Sequence, residues 1–233
     1  MKIEQFRYSQ DNLAYLVYTK SSGIVIDGGD PEAILAFARP RGIHIVFITN
    51  THSHPDHTSG NARLIEKTDA VFMDCRSLTQ GQVLALDNGQ GLEVMLTPGH
   101  TTDSVCFKGT GFLVTGDTLF NATVGNCFSG DLEAFFHSLK QIMALDKKTK
   151  IFAGHDYVME SLAVALSIDP ENPEIEIYKN AYQNEFVFSC LADELKVNPY
   201  LRFNAPSMVK GLEKKNLPRQ TEYLRFSSIM EIY

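Results

Sequence analysis

The sequence has little cysteine. Its 233 residues contain four, Cys75, Cys106, Cys127 and Cys190, and no two of them form a Cys-x-x-Cys pair. A chain of this length with 44% apolar residues can bury a sizeable core without covalent cross-links. The cysteine pattern therefore argues against a disulfide framework, and we expect a reducing, cytoplasmic location.

Long apolar runs and an excess of positive charge are also missing. Nowhere do eighteen apolar residues follow one another, and residues 1–6 contain no apolar signal core, so neither membrane insertion nor export is indicated. The formal net charge is −7, whereas nucleic acids and anionic membranes are bound by clustered Lys and Arg. The expected partner is a small molecule rather than nucleic acid or a membrane, and the oligomeric state is left open.

Short β-branched and aromatic runs, separated by turn residues, predict strands in two groups, one before residue 74 and one between residues 82 and 153. Helices are predicted at residues 31–38, 60–68 and 132–145. Strands in two groups, with helices between and outside them, predict an α/β fold in which helices sandwich two mixed sheets.

The strand signals stop at about Val158. Beyond it, the sequence predicts helices or helical turns at residues 161–168, 173–186, 191–197, 206–215 and 221–232. We therefore expect two parts: residues 1–158 with both sheets, and residues 159–233 as a helical module.

Three imidazoles and one carboxylate lie within seven residues, Thr51-His52-Ser53-His54-Pro55-Asp56-His57, directly after a predicted strand. Imidazole and carboxylate together suit divalent zinc, iron or manganese, whereas calcium prefers oxygen ligands. On the strand's period of two, His52 and His54 point to one side, and Pro55 then turns the chain so that Asp56 and His57 diverge. One loop can thus serve two neighbouring metal ions.

Two further histidines, His100 and His155, each follow a glycine at the end of a strand-like run. A solvated polar loop is the alternative interpretation of one isolated His-x-His. Five of the seven histidines lie at such positions, which favours a metal site. We expect the other two, His44 and His137, to be surface or packing residues.

Four motifs follow one another along the chain: the string from Thr51 to His57, Pro98-Gly99-His100-Thr101, Gly116-Asp117-Thr118-Leu119-Phe120 and Gly154-His155-Asp156-Tyr157. In this order they resemble the metallo-β-lactamase superfamily and, within it, most closely glyoxalase II, the hydroxyacylglutathione hydrolases. The resemblance implies the four-layer αββα sandwich of that superfamily, followed by a C-terminal helical module that binds substrate.

The same resemblance implies two divalent metal ions, for which we expect zinc, with iron or manganese as alternatives that the same ligands accept. One ion would be bound by His52, His54 and His100, the other by Asp56, His57 and His155, with Asp117 bridging both. Two such ions lower the pKa of a shared water toward ~7, which gives a metal-bound hydroxide at neutral pH. The implied reaction is hydrolysis of a thioester, S-D-lactoylglutathione or a relative of it.

Catalytic roles are implied for Asp56, which would orient the hydroxide, and for Asp117. An aspartate at the position of Asp27 supports the metal loop in the family, in the manner of a carboxylate that orients a ligating imidazole. The alternative for Asp27 is a helix cap or turn residue.

Substrate binding is implied for Tyr157, which in the family contacts the glutathione, and for Asn126 and Phe128. The alternative for Tyr157 is a core tyrosine. The sequence departs from the family pattern because Asn126 stands where glyoxalase II has a cation. Ser227 and Met230 align loosely with two more cations that hold glutathione carboxylates.

The string Asn198-Pro199-Tyr200-Leu201-Arg202 also resembles a family motif, with a role that could be purely structural. Four cations near it in the chain could replace the missing charge: Lys210, Lys214, Lys215 and Arg225.

Three alternatives to the glutathione thioesterase stay open. An iron-dependent persulfide dioxygenase carries similar motifs but uses one iron. A metal hydrolase of another ester, thioester or lactone would act on a substrate not carried on glutathione. A non-enzymatic metal-binding domain is the third, and metal content measured together with a substrate screen separates them.

Overall fold

The computed structural model describes residues 1–232, the side chain of Asn88 excepted. Its strands are β1 (Lys2–Tyr8), β2 (Asn12–Tyr18), β3 (Ser22–Ile26), β4 (His44–Thr49), β5 (Val71–Met73), β6 (Val83–Ala85), β7 (Gly91–Leu96), β8 (Val105–Gly109), β9 (Phe112–Gly116), β10 (Lys150–Ala153) and β11 (Ser189–Cys190). Within the described residues they form a five-stranded sheet, β1-β2-β3-β4-β5, and a six-stranded sheet, β11-β10-β9-β8-β7-β6.

The helices are α1 (Pro31–Ala38), α2 (Pro55–Thr58), α3 (Asn61–Lys67), α4 (Leu132–Met143), α5 (Val158–Ile168), α6 (Glu174–Ala181), α7 (Leu191–Val197), α8 (Pro206–Lys214) and α9 (Glu222–Ile232). Two of them begin at aspartates: Asp30 and Asp131 accept a hydrogen bond from the backbone N–H three residues later. No helix among residues 1–232 has the length and apolar character needed to cross a bilayer.

Strand β2 shows how the layers are separated. Because side chains alternate along a strand, Leu13, Tyr15 and Val17 face the apolar cluster between the two sheets, and Ala14 and Leu16 face the cluster under α1 and α3. A third cluster lies between the second sheet and the helices beyond it. Three apolar interfaces separate four layers, which confirms the α/β fold of αββα type.

Parallel strand pairs bring the predicted ligands to one edge of the sandwich. β3 pairs in parallel with β4, and β9 with β10, so the carboxyl ends of each pair lie side by side. Asp27 follows β3 and His52 follows β4, whereas Asp117 follows β9 and His155 follows β10.

The tail beyond Val158 differs from the prediction in two places. The helix predicted at residues 173–186 is wrong in its extent, since α6 ends at Ala181. Tyr182 is extended (φ −64°, ψ 137°), and its hydroxyl donates to Asp156 at 2.7 Å. The prediction that strands stop is also wrong, because β11 pairs antiparallel with β10.

The tail packs directly on the sheets. Leu162 and Val197 belong to the cluster between the sheets, whereas Phe203, Phe226 and Ile229 belong to the cluster beyond the second sheet. The tail therefore shares its core with the rest of the chain. The division between residues 158 and 159 stays a prediction.

Replacing Phe226 by alanine should test this shared core. Its fully buried ring lies 6.2 Å from that of Phe135 and 5.5 Å from that of Phe136, both on α4. We expect Phe226→Ala to lower the free energy of unfolding by about 3–5 kcal/mol, in one transition, measured by urea denaturation followed by circular dichroism. Ile177→Ala, at a 60% exposed site, serves as the control. A separate early transition of the tail would contradict the shared core.

Candidate metal centre

Four side chains form the first group of ligand atoms. His52 and His54 follow β4, His100 follows β7 and Asp117 follows β9. Each offers one nitrogen or oxygen, and these atoms lie within 4.8 Å of one another. All except His54 are buried, so the group is held rigidly at the strand ends.

The second group consists of Asp56, His57 and His155. Pro55 opens α2, where its fixed φ suits the first helical position, and the helix then carries Asp56 and His57. The Nε2 atoms of His57 and His155 lie 3.2 Å apart. Asp56 Oδ2 lies 3.5 Å from the former and 3.4 Å from the latter.

Asp117 lies between the two groups. Its Oδ1 is 3.4 Å from Nε2 of His57, and its Oδ2 is 3.5 Å from Nε2 of both His100 and His155 and 3.8 Å from that of His52. One buried carboxylate thus contacts both groups, as a bridging ligand must.

In His52 and His100, the hydrogen bond made by Nδ1, which faces away from the centre, determines whether Nε2, which faces the centre, carries a proton or a lone pair. His100 Nδ1 donates to the Asn126 carbonyl at 2.9 Å. Thr51 Oγ1 donates to Asp27, so it accepts from His52 Nδ1 at 3.1 Å. The Nε2 atoms of neutral His52 and His100 therefore carry lone pairs, and both approach His54 Nδ1, at 2.9 and 3.1 Å. One nitrogen cannot donate to both.

In the second group, too, ring nitrogens that carry lone pairs face each other. His57 Nδ1 donates to Asp27 Oδ2 at 3.1 Å, and His155 Nδ1 donates to Asp11 Oδ1 at 2.8 Å. When both rings are neutral, their Nε2 lone pairs face each other. Asp117 Oδ1 is buried with no hydrogen-bond partner among the described residues. Cations at these positions would bind the opposed lone pairs, so the residues fit divalent metal ions.

Electrostatics favour positive charge in the same place. Burial, helped by the neighbouring His57, lowers the pKa of His52 to about 4. Burial raises the pKa of Asp117, but His155 and His57 outweigh it and hold that pKa well below its usual range. Burial lowers the pKa of His57, but the carboxylates of Asp27 and Asp117 outweigh it and raise that pKa well above its usual value. The buried carboxylates therefore favour a positive charge beside them at His57, whereas His52 stays neutral.

Asp27 lies in contact with the loop that it was expected to support. It is fully buried and has a positive φ of 54°, which is strained for a residue with a side chain. Its Oδ1 accepts from the Thr51 N–H and its Oδ2 from the Thr51 hydroxyl, both at 2.7 Å, in addition to His57. The carboxylate joins two ends of one ligand loop.

The three residues expected to bind substrate surround the centre. The Tyr157 ring stacks on that of His155, with centroids 4.9 Å apart and planes at 7°. Phe128 is 66% exposed and its ring lies 5.2 Å from that of His100. The Asn126 side chain is exposed, whereas its backbone carbonyl accepts from His100. Their contacts with substrate stay predictions.

The predicted turn between β1 and β2 contacts the second group, a role that was not expected from the sequence. Tyr8 donates to the Asp56 carbonyl at 2.9 Å, and Asn12 Nδ2 donates to Asp56 Oδ2 at 3.0 Å. Asp11 orients His155, as described above. Asp-Asn between two strands is an ordinary turn signal, and nothing local to it indicates a partner 144 residues away.

Residues 10–73 and 74–155 match the model of the metallo-β-lactamase superfamily, and residues 156–229 match that of the hydroxyacylglutathione hydrolase C-terminus. A hydroxyacylglutathione hydrolase from Pseudoalteromonas translucida (strain TAC 125) is 30% identical over 232 residues, covering 92% of this chain and 90% of that protein. The chain belongs to the hydroxyacylglutathione hydrolase family of the metallo-β-lactamase superfamily. The resemblance carried by the four motifs is confirmed.

Two other comparisons agree with this membership. A hydroxyacylglutathione hydrolase from Anaeromyxobacter dehalogenans (strain 2CP-C) is 34% identical, covering 92% of this chain and 91% of that protein. The crystal structure of ETHE1 from Myxococcus xanthus superimposes with a TM-score of 0.73 and 20% identity, covering 100% of this chain and 91% of that one. The second similarity shows a shared fold.

Gly154 tests how tightly Asp117 is held. A Cβ at this position would lie 2.3 Å from Asp117 Oδ1 and 2.9 Å from Cε1 of His57. We expect Gly154→Ala to displace the carboxylate and to weaken metal binding about tenfold or more, measured by competition with a chromophoric chelator. Gly211→Ala is the control, since a Cβ there meets no atom within 4 Å among the described residues. Unchanged affinity in Gly154→Ala would contradict this geometry.

Proposed function

We propose that this protein is a dinuclear metal hydrolase that cleaves S-D-lactoylglutathione or a related thioester to a carboxylic acid and a free thiol. The observation that carries the proposal is the position of Asp117, whose two oxygens face two groups of ligands with converging lone pairs. Membership of a family of hydroxyacylglutathione hydrolases supports the same reaction.

The seven residues named from the sequence would hold the metals as two sets that share Asp117. The ligands are His52, His54, His100, Asp56, His57, His155 and Asp117. We expect zinc, which accepts imidazole nitrogen and carboxylate oxygen, although iron and manganese accept the same set. Two bound divalent ions supply Lewis acidity for a substrate carbonyl and make water nucleophilic near neutral pH.

Asp56 would orient the attacking water. Its side chain is 45% exposed, unlike that of Asp117, and one oxygen accepts a hydrogen bond from Asn12. A carboxylate has about four lone-pair sites, so Asp56 keeps acceptor capacity for a water. Asn12 and Tyr8 hold this carboxylate and its backbone in one orientation, which fixes the direction of attack.

The leaving group explains why no dedicated general acid is needed. A thiolate leaves as the anion, whereas an amine must first receive a proton.

Burial, with the charges of Asp11, Asp117 and Asp56, raises the pKa of Tyr157 to about 12. Its hydroxyl is therefore protonated at neutral pH, and a substrate that accepts a hydrogen bond from it would compete with the side chain of Asp11.

The residues at the family's cation positions offer no charge for a glutathione carboxylate. The Asn126 side chain is neutral, the Ser227 hydroxyl donates to the Leu224 carbonyl, and Met230 packs against the cluster beyond the second sheet. Each missing charged hydrogen bond costs about 1.5–3 kcal/mol. We therefore propose weak binding of the glutathione part of the substrate.

The nearby arginine is already engaged. Arg225 donates through Nε and Nη2 to Asn204 Oδ1 and through Nη1 to the Arg219 carbonyl. Using it to bind a carboxylate would require breaking these bonds, so it is a poor substitute for the missing cations.

The number of metals separates this proposal from the one-iron dioxygenase. The complete second group of Asp56, His57 and His155 favours two ions. We expect about two transition-metal ions per chain by elemental analysis. Asp117→Ala should lose both together, because only this carboxylate contacts both groups, whereas His155→Ala should weaken mainly one. A ratio near one with excess metal, or two tightly bound ions and normal turnover in Asp117→Ala, would contradict the dinuclear site.

The substrate is tested by hydrolysis of S-D-lactoylglutathione with the metal-loaded protein. Contacts with remote carboxylates of the substrate provide uniform binding that lowers KM. Because the cations for these contacts are missing, we expect a high KM. Asn126→Lys should lower KM several-fold and leave kcat within a small factor. Gln141→Lys, on the exposed side of α4, adds the same charge away from the site and should change neither constant.

Two results would overturn the substrate assignment in different ways. A low-micromolar KM in the unchanged protein would mean that another cation binds the carboxylates. Absence of turnover with any glutathione thioester, even in Asn126→Lys, would point to a different acyl carrier or to an ester or lactone.

A further inference from the structure

Two side chains of the tail reach a loop that begins next to the metal centre. Glu194 Oε2 accepts a hydrogen bond from the Ala122 N–H at 2.8 Å. Asn198 Nδ2 donates to the Thr123 carbonyl at 2.9 Å and to Glu194 Oε2 at 3.1 Å. Both side chains are fully buried. They lie 72 and 75 residues from their partners in the loop.

Glu194 is an unusual group to find at this depth. Its carboxyl is hydrogen-bonded to neutral donors: the Ala122 N–H, the Tyr178 hydroxyl at 2.8 Å and the Asn198 amide. Burying a carboxyl costs free energy that a well-packed apolar side chain would not. An apolar side chain, however, could not accept a hydrogen bond from the backbone of the loop, as Glu194 does.

The loop backbone needs such an acceptor. Ala122 has a φ of 70°, in the left-handed region that a residue with a side chain adopts at a cost. Its N–H is buried, and Glu194 is the acceptor that satisfies it. Asn198 donates to the carbonyl of the next residue, Thr123, which also accepts from the Phe120 N–H at 3.0 Å. The peptide groups that precede Ala122 and follow Thr123 are thus each held from the tail.

Three residues further on, the same loop orients a ligand of the candidate centre. The Asn126 carbonyl accepts from His100 Nδ1. Gly125 packs so closely that a Cβ there would lie 2.1 Å from the Asp117 carbonyl oxygen and 2.7 Å from His100 Nδ1. A shift of the loop would therefore move the partner that keeps the His100 Nε2 lone pair directed at the metal position.

We propose that Glu194 and Asn198 are positioning residues for the metal centre: by fixing the backbone at Ala122 and Thr123 they hold the Asn126 carbonyl against His100. The tail thus has a role in metal binding besides any contact with substrate. This inference rests on the proposed metal centre and is independent of the thioester.

The experiment compares variants that remove the directional contact with variants that keep it. Glu194→Met has similar length but leaves the Ala122 N–H without an acceptor. Glu194→Gln can place its amide oxygen at the Oε2 position and its nitrogen toward Tyr178, and is the conservative rescue. Asn198→Ser removes the bond to Thr123 and is the second test should Glu194→Met fail to fold.

A matched control perturbs the tail elsewhere. Asp169 pairs with Arg202 at 2.5 Å, and both belong to the tail. Asp169→Asn weakens this ion pair without touching the loop. A merely structural role of Glu194 predicts similar metal binding in Asp169→Asn and Glu194→Met once both are folded, as judged by circular dichroism.

The first readout is metal affinity, measured by competition of Zn²⁺ between the protein and a chromophoric chelator. We expect the dissociation constant of the more affected site to rise about tenfold in Glu194→Met and Asn198→Ser, at the lower end of the effect of outer contacts on metal ligands. Glu194→Gln and Asp169→Asn should stay within about twofold of the unchanged protein.

The second readout is the tautomer of His100 in the metal-free protein, read from long-range ¹H–¹⁵N NMR spectra. We expect the proton on Nδ1 in the unchanged protein, Glu194→Gln and Asp169→Asn, and mixed tautomers in Glu194→Met and Asn198→Ser. Unchanged affinity and an unchanged His100 tautomer in these last two variants would overturn the proposal. If the protein binds metal but hydrolyses no thioester, the proposed function is wrong, and the comparison of metal affinities still tests the role of Glu194 and Asn198. The His100 tautomer tests that role even if no metal binds.

Discussion

The carboxylate of Asp117 has to stay ionised while buried between two groups of imidazoles, and much of the structure serves that requirement. Removing a charge from water is costly unless partners of opposite charge or hydrogen bonds replace the solvent. Here His57 and His155 provide part of that replacement. The backbone must also come very close, which is why the neighbouring chain at position 154 can carry no side chain. The candidate ligands and the backbone at position 154 thus enclose this carboxylate almost completely.

Four of the five histidines of the centre are held through the nitrogen that faces away from it. The partners are Asp27 for His57, Thr51 for His52, the Asn126 carbonyl for His100, and Asp11 for His155. They come from the end of β3, the ligand loop itself, the loop after β9 and the turn after β1. Because these segments are distant in sequence, the ligand geometry forms only when both sheets and the connecting loops have reached their native arrangement. A metal ion bound at this centre would therefore stabilise the native fold.

The side chains that meet in the two groups could be named from the sequence because they follow strands and lie within recognisable strings. Asp27 could be predicted for the same reason. Asn12 and Glu194 could not, because their partners lie 44 and 72 residues away and the contacts depend on how the loops pack. The strand at Ser189–Cys190 was missed because two residues carry no periodicity, and the end of α6 because Tyr182 leaves the helix to reach Asp156. Local pattern defines which groups are available, whereas packing decides which of them meet.

At position 126 the backbone and the side chain have different roles. The backbone carbonyl of Asn126 orients His100, and any amino acid supplies that carbonyl if the loop keeps its course. The residue is exposed, and in the family pattern this position carries a cation. The glycine at 125 and the contacts made by Glu194 and Asn198 fix the loop independently of that side chain. The side chain at position 126 can therefore change without displacing the carbonyl that orients His100, which is why the proposed exchange of Asn126 for lysine is expected to act on KM and not on kcat.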